Sequence, residues 1–547
     1  MESDRVDGEG KTLQVADVDA ALEYLNREGT SVMTEINEKA LVRKIDMMVI
    51  PLMWACYNLQ YLDKTLINYA NVMGLQEDTS ITGNQFSLLA TLFYITYLAF
   101  EFPTGYLMQR LPTAKYLGAN VILWGSVVTL NSAAKNWAAL AALRTLLGCF
   151  ESAVAPALIL VTSMWYKKSE QPARLGFWYV GTGTGSIIGA LTSFGFQHYR
   201  SEVFTSWQIM FLLFGLITVV VGTLTMIFLP DNPMKSRLTH EEKIWAIERL
   251  RENQTGIENK HFKIYQVWDC FTDPQTWLIV LITITSNIPN GAVSSYQATI
   301  IKGFGYTSKQ TALLQIPSGV LTCISVIGAG VSSAKYNVRG PIIIILLLIG
   351  GILGGSLLAF SNTTNKGALL TGNYLTNVIG AALPLLYSYS AANYAGHTKK
   401  VTMNAVLLIS FCLGNIIGPL TFRDADKPRH YLPAKIVIVA STAAAAVTTC
   451  VLMAYYAWEN RRRDRKYSGL SHNENSEFFD LTDRENKEFR VSSRILHVSI
   501  LRADLRSIGG SSHDNCTRGI YHKEENETRT IWMNVRDVKL NRYLLAM

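Results

Sequence analysis

Long apolar runs separated by short polar stretches fill most of the chain after a polar N-terminal segment. A helix needs about 20 mostly apolar residues to cross a bilayer, and twelve runs are long enough to do so. A polar break from Pro230 to Thr276 divides them into six and six. The pattern predicts an all-α membrane protein of twelve transmembrane helices in two six-helix halves, at residues 46–70, 85–108, 116–134, 137–165, 174–196, 207–229, 277–300, 312–334, 341–361, 367–395, 401–421 and 433–457.

This pattern defines five parts of the chain. Within the central break, Thr239 and Glu242 have the spacing of a capping box, which predicts a short helix through Arg251. The parts are an N-terminal segment 1–45, a first half 46–229, a linker 230–276, a second half 277–457 and a tail 458–547 that is predicted to be disordered.

Basic residues indicate the orientation of the helices. They gather in alternate loops, in the linker and after the last apolar run, and cytoplasmic loops carry such an excess of Lys and Arg. Both termini and the linker are therefore expected in the cytoplasm. The sequon Asn362-Thr-Thr364 then falls in an outside loop, where Asn362 can be glycosylated.

The composition excludes several classes of protein. The chain is 49% hydrophobic with a net charge of +8, and its cations lie just outside the apolar runs, which argues for a lipid bilayer and against a nucleic-acid partner. Its seven cysteines are scattered singly, so no metal site or disulfide framework is predicted. No arrangement of a nucleophile with a base, no metal cluster and no phosphate-binding loop supports an enzyme. We expect no catalytic residue and no cofactor, and a monomer.

The two halves contain similar loops. Residues 105–115 and 333–341 are short, basic and contain Gly or Pro, and they occupy matching places in the two halves. This is typical of a duplicated transporter with its site at the interface of the repeats.

Opposite charges lie seven residues apart within the fourth apolar run, at Arg144 and Glu151. On a helix both project from one face, roughly 10 Å apart, so they are poorly placed to pair with each other. A charge in hydrocarbon costs at least ~2.5 kcal/mol and by default marks a functional pathway. A structural ion pair that locks two helices is the alternative.

Several stretches resemble a known family. From about Arg43 to Tyr467 the chain resembles the major facilitator superfamily, and more narrowly the fungal allantoate-permease branch of the anion:cation symporter family. The loop after the second run departs from the family, because Gln109 stands where an acidic residue is usual. The resemblance rests on stretches starting at Tyr61, Glu101, Arg144, Phe228, Asp273, Ile288 and Gly414, and a further one spans Phe479 to Arg490.

The resemblance implies the major facilitator fold and proton-driven uptake of a small organic anion across the plasma membrane. Allantoate, ureidosuccinate, nicotinate, other vitamin-like carboxylates and small peptides are substrates within the family. Two alternatives remain: an exporter of a secondary metabolite, and a membrane sensor that has the transporter fold and signals through its tails.

Ionisable residues well inside the spans belong to the first half, whereas the second half has neutral amides. This indicates that the first half carries the coupling charge and the second shapes selectivity. The ionisable residues are Asp63, Lys64, Glu101, Arg144 and Glu151, and the amides include Asn287, Asn290 and Asn377 as candidate substrate ligands, with Asn373, Asn393, Asn404 and Asn415.

Depth in the membrane assigns roles to these charges. Asp63 and Arg144 fall at similar depth in the outer leaflet, so Asp63 is expected to pair with Arg144 when ionised and to release it when protonated. Lys64 is expected to contact the substrate carboxylate, Arg144 is a further candidate substrate ligand, and Glu151 is expected to be a second proton carrier. For Asp63 and Lys64 the alternative is a cap at the end of a helix. Glu101 precedes Pro103, and it either couples protons or accepts a hydrogen bond from freed backbone.

Glycines recur at every fourth position from Gly181 through Gly185 to Gly189. The spacing does not match a dinucleotide-binding loop, and no strand precedes it. We interpret the row as a face for close helix packing.

Overall fold

The computed structural model describes residues 37–167, 170–199, 204–251, 263–336, 338–467, 482–486 and 489–491. The predictions for residues 1–36 and for the tail beyond Val491 lie outside this described part.

Within the described part of the chain, twelve long helices, some of them interrupted, form two bundles of six, as the hydrophobic pattern predicts. By length and composition alone, eight of them qualify as membrane spans, namely the fourth and every one from the sixth to the twelfth. The helices are α1 (Glu38–Val72), α2 (Gly83–Arg110), α3 (Thr113–Asn131), α4 (Trp137–Glu151 and Val154–Trp165), α5 (Gln171–Tyr179 and Gly181–Phe196), α6 (Ser206–Phe228), α7 (Pro274–Lys302), α8 (Ser308–Leu313 and Ile316–Tyr336), α9 (Gly340–Phe360), α10 (Lys366–Thr376 and Ala382–Asn393), α11 (His397–Leu420) and α12 (Leu432–Tyr467).

The two halves pack by the same scheme. In the first half α1 packs on α5, α2 on α4 and α3 on α6, and in the second half α7 packs on α11, α8 on α10 and α9 on α12. The halves meet where α2 contacts α11, α5 contacts α8 and α1 contacts α7. Each of these contacts maps onto another, or onto itself, when helix n is exchanged for helix n + 6. The predicted pseudo-symmetry of the halves is therefore confirmed.

The glycine row on α5 packs against α1. A β-carbon at Gly185 would come within 2.9 Å of the carbonyl oxygen of Asn58, and one at Gly189 within 2.7 Å of the ring of Tyr69. A side chain at either position would force the two helices apart. The packing interpretation of this row is confirmed.

The first linker helix belongs to the first half. It spans His240–Arg251, and Thr239 and Glu242 exchange the two hydrogen bonds of the predicted capping box. Lys44 of α1 lies 2.6 Å from the Glu242 carboxylate, and its hydrogen bond lowers the pKa of Glu242. Arg249 in turn bridges to Glu170 just before α5.

The second linker helix, Ile264–Thr272, belongs to the second half, where it helps to surround Lys399 at the start of α11. The Lys399 ammonium is fully buried and lies 2.8–2.9 Å from the carboxylates of Asp269, Asp273 and Asp483. Arg484 adds a second cation on Asp269. Burial alone would raise the pKa of Asp269, but Lys399 and Arg484 together hold it below its ordinary value.

The tail differs from its prediction in two respects. Helix α12 continues past residue 457 to Tyr467, and residues 482–486 pack against the second half. The Arg463 side chain donates to the carbonyl oxygens of Asp483 and Phe489, and Asn460 bonds both polar backbone atoms of Val491. Polarity alone predicts disorder, but these polar residues have buried partners on α12 and α11.

Lys399→Ala is expected to destabilise the second half by about 3–5 kcal/mol, because it leaves buried carboxylates without their cation. The melting temperature of the purified protein in detergent measures this. The control is Lys309→Ala, which removes an exposed lysine. Equal melting temperatures for the two variants would contradict a structural role for the Lys399 cluster.

Candidate functional site

A cavity of about 1150 Å³, including its opening, lies between the two halves. Residues of α1, α2, α4 and α5 line it from the first half, and residues of α7, α8, α10 and α11 line it from the second. Among the described residues, its only charged lining side chains are Lys64 and Glu151. Its wall is otherwise mostly aromatic and aliphatic, so a charged ligand would find one cation and one acid.

The Lys64 ammonium is held by neutral groups of the second half and by ring faces. Its Nζ lies 3.4 Å from Asn415 Oδ1 on α11. It also lies 5.2 Å from the ring centre of Tyr94 and 5.5 Å from that of Phe411. The described residues provide no carboxylate within 4 Å of it, so its charge is available to an anion in the cavity.

Asn415 connects the two halves beside Lys64. Its Oδ1 also accepts hydrogen bonds from Tyr94 at 3.2 Å and from Asn290 on α7 at 3.1 Å. One oxygen thus joins residues of α1, α2, α7 and α11. A ligand that displaces Lys64 from Asn415 would alter the contact between the halves.

Asp63 lies next to Lys64 in sequence but faces away from the cavity into the first half. One oxygen of its carboxylate accepts a hydrogen bond from Trp124 Nε1 on α3 at 3.0 Å, and the other oxygen has no partner among the described residues. The expected ion pair with Arg144 is not formed in this structure, because no oxygen of Asp63 lies within 4 Å of a described basic nitrogen. The indole occupies the bonding position beside the carboxylate.

Arg144 is 3% exposed, and its Nε and Nη2 have no hydrogen-bond partner among the described residues. Its charge nevertheless interacts with both Asp63 and Glu151. Glu151 is 2% exposed, lines the cavity and lies within hydrogen-bonding reach of Gln60. It stands at the end of the first segment of α4, where the helix is interrupted at residues 152–153 ahead of Pro156. Arg144 is thus a buried cation near two buried acids, without a close bond to either, and it is not among the described residues that line the cavity.

Glu101 lies outside the cavity lining, on α2. Neither of its carboxylate oxygens has a hydrogen-bond partner among the described residues. Its charge interacts with Tyr97, Tyr387 and Cys412, which belong to α2, α10 and α11. Glu101 thus lies near the contact between the halves. The alternative that it accepts a hydrogen bond from backbone freed by Pro103 is not supported, because no described backbone donor bonds its carboxylate.

The amides of the second half divide into two groups. Asn290 and Asn377 line the cavity, and the Asn377 side chain donates to the carbonyl oxygen of Asn373. Asn287 is buried outside the lining, where its side chain donates to the carbonyl oxygen of Thr283 on the same helix.

Hydrogen bonds between the halves cluster at the end of the bundle opposite to the linker. Asn68 on α1 bonds Gln315 and the backbone nitrogen of Ala298, and Asn71 bonds Thr299 at 2.9 Å. At the start of α2, Asp424 accepts from the backbone nitrogen of Asn84. The cavity lies on the linker side of these bonds and reaches Leu175 near the start of α5. The bundle is therefore closed at the end away from the linker.

A comparison with protein families agrees with this architecture. The model of the Major Facilitator Superfamily matches residues 53–419, which is more than half of the chain. The chain belongs to the major facilitator superfamily. It is accordingly a membrane transporter and not an enzyme.

Relatives within the superfamily are fungal transporters. The Saccharomyces cerevisiae thiamine pathway transporter THI73 is 38% identical over 508 residues, covering 88% of this chain and 94% of that protein. The allantoate permease of the same organism is 32% identical over 503 residues, covering 88% and 92%. These matches confirm the resemblance to the fungal allantoate-permease branch.

Solved structures confirm the fold. A bacterial homolog to the human lysosomal transporter Spinster, in an inward-facing and occupied conformation, aligns with a TM-score of 0.56 at 15% identity. The alignment covers 74% of this chain and 96% of that chain.

The sequence alone did not identify several residues of the candidate site of this transporter. Trp124 and Gln60 are ordinary components of apolar spans, and only the three-dimensional packing places them beside Asp63 and Glu151. Asn415 was one of seven candidate amides, and nothing in its spacing distinguishes it. The aromatic residues of the cavity could have been suspected, because Tyr57, Tyr61 and Lys64 share one face of α1.

Proposed function

We propose that the protein takes up a small organic anion across the plasma membrane by alternating access, driven by protons. The observation that carries this proposal is the position of Lys64. It is the only basic side chain among the described residues that line the cavity between the halves, and no carboxylate neutralises it by close contact. A carboxylate in the cavity would gain a charge-assisted hydrogen bond from its ammonium.

Proton coupling is assigned to the acids around Arg144. An ionised, buried carboxylate is stable only with a nearby cation, whereas its neutral form tolerates burial. Arg144 can satisfy Asp63 or Glu151 closely, but a shift toward one weakens its hold on the other. Glu151 also attracts Lys64 electrostatically, and both residues line the cavity. Protonation of Glu151 would remove this attraction and free Lys64 for the substrate. Glu101 is a third candidate, close to where the halves must separate.

Alternating access follows from the closure at one end of the bundle. With the linker and termini on the cytoplasmic side, as the basic loops predict, the structure represents an inward-facing state. Opening to the outside then requires breaking bonds such as Asn68–Gln315 and Asn71–Thr299. The two relatives described above are named for the thiamine pathway and for allantoate, which supports a small organic substrate for this chain too.

Uptake of a panel of labelled carboxylates at acid pH, by cells that express the protein, tests this function. Lys64→Ala is expected to lower uptake of the transported anion by about thirtyfold or more, since the loss of a buried charge-assisted bond costs about 2–3 kcal/mol. Lys64→Arg should keep partial uptake, and Lys309→Ala should leave uptake unchanged. Anion uptake that persists in Lys64→Ala at normal surface expression would reject Lys64 as the substrate ligand.

A further inference from the structure

Aromatic side chains dominate the wall of the cavity. Those of the first half come from α1, α2 and α5, and those of the second half come from α10 and α11. They are Tyr57, Tyr61, Phe93, Tyr94, Tyr97, Trp178, Tyr179, Tyr387 and Phe411. Since only two lining residues are charged, ring surface is the main feature that a ligand would meet.

Two groups of these rings pack on one another. Tyr57 of α1 packs edge-to-face on Trp178 of α5, with ring centres 4.7 Å apart, and lies 5.2 Å from Tyr179. On α2 and α11, Tyr94 packs against Phe93 at 5.0 Å and Phe411 at 6.4 Å. Rings that pack on one another lose little further freedom when a ligand joins them.

The polar atoms of two of these rings already have partners in the protein. Trp178 Nε1 donates to Thr162 on α4 at 3.3 Å, and the Tyr94 hydroxyl donates to Asn415. What these two residues offer a ligand is therefore their ring faces and edges. Aromatic faces and edges favour planar, conjugated partners in stacked or edge-to-face contact.

The charges limit the ligand to one carboxylate. Lys64 lies over the rings of Tyr94 and Phe411, so an anion bound to its ammonium is placed beside an aromatic surface. The described residues that line the cavity provide no second cation for a second negative charge. A compound with many amide groups, such as a ureide, would place donors and acceptors against a wall that is mostly ring and aliphatic surface, at a cost of about 1–3 kcal/mol for each group that finds no partner.

We propose that the substrate is a planar aromatic monocarboxylate of one or two rings, whose carboxylate binds Lys64 and whose ring packs among the two groups of aromatic side chains. This proposal rests on the proposed function, which requires an organic anion at Lys64. It adds that the rest of the anion is a conjugated ring.

Binding to the purified protein in detergent tests the ring and the charge separately. The probes are 4-hydroxybenzoate, its saturated analogue 4-hydroxycyclohexanecarboxylate and its neutral analogue 4-hydroxybenzamide. We expect 4-hydroxybenzoate to raise the melting temperature at concentrations at least tenfold lower than either analogue requires. Allantoate is included as the polyamide comparison and should be weaker than 4-hydroxybenzoate.

Variants of Trp178 test whether this residue contacts the ring of the bound acid. Trp178→Leu should reduce the preference for the aromatic over the saturated acid to about twofold, whereas Trp178→Phe should retain most of it. The control is Trp268→Leu, in the second linker helix, where the indole is 67% exposed. Its preference should equal that of the unmodified protein.

The possible failures are distinguishable. If allantoate or the saturated acid is taken up in a Lys64-dependent manner and 4-hydroxybenzoate neither binds nor competes, the aromatic proposal is wrong and the proposed function stands. If the folded protein neither binds nor transports any carboxylate of the panel, both are wrong. An unchanged preference in Trp178→Leu would also reject the placement of the ring.

Discussion

Arg144→Ala should reduce transport to below about 1% of normal while the protein still reaches the cell surface. Arg144 is buried between Asp63 and Glu151, and its charge interacts with both. Its removal leaves the buried Asp63 without a nearby cation and leaves Glu151 with Lys64 alone, a loss of about 3–5 kcal/mol when Asp63 is ionised. The acids would then remain protonated, and the exchange of Arg144 between them could not occur. Uptake of the transported anion at acid pH, normalised to surface expression, measures the effect.

The conservative substitution separates charge from geometry. Arg144→Lys should restore transport poorly, because a point charge cannot replace a planar group that reaches two carboxylates. Arg43→Ala, which removes an exposed arginine near the start of α1, is the control and should transport normally. Near-normal transport by Arg144→Ala would remove Arg144 from the mechanism.

Uptake should be electrogenic, with inward currents that grow at negative potential. Asp63 and Glu151 are two proposed proton carriers, so a monoanion would enter with two protons and one net positive charge. One proton per monoanion would be electroneutral, with about 1.36 kcal/mol available for each pH unit. Two protons supply about 2.7 kcal/mol from one pH unit and about 2.3 kcal/mol from 100 mV. The sum of roughly 5 kcal/mol supports a gradient of several thousandfold.

Glu151→Gln should abolish this accumulation but retain exchange of substrate across the membrane. Glutamine resembles the permanently protonated acid. The substrate-bound transporter can therefore still change between its outward-facing and inward-facing states, but it cannot bind and release a proton at this position. Electrical recording, and uptake and counterflow with labelled substrate, measure the two properties. Glu241→Gln, in the first linker helix, removes an exposed acid and is the control. The same substitution at Glu101 shows whether that acid is a third carrier.

Two outcomes would contradict this scheme. Robust uptake of a monoanion without current would reject two protons per turnover. Proton-driven accumulation that persists in Glu151→Gln would reject Glu151 as a carrier.

Hydrophobic length predicted the helices well, because a span must be apolar and about 20 residues long whatever it packs against. Helix ends were less predictable, and α12 shows the reason. Its last turns are polar, and they remain helical where Asn460 and Arg463 bond the segment that follows. Such contacts join residues that are distant in sequence, and no local pattern reports them.

The sequence predicted which charged residues belong to the candidate site, but it did not predict which residues bond one another there. The cost of a buried charge singled out Lys64 and Glu151, and both line the cavity. Depth along two helices placed Asp63 level with Arg144, yet depth does not determine which side of a helix faces which neighbour. Trp124 on a third helix therefore provides the hydrogen bond that was assigned to Arg144.

The divided linker sets a mechanical limit on the transport cycle. Arg249 and Lys44 tie its first helix to one half, and the Lys399 cluster ties its second helix to the other. In the proposed transport cycle each helix therefore moves with its own half, and residues 252–262 of the sequence link the two. A chain of that length can span at most about 40 Å. Deleting residues from this link would therefore limit how far the two halves can move apart, without changing any residue of the cavity.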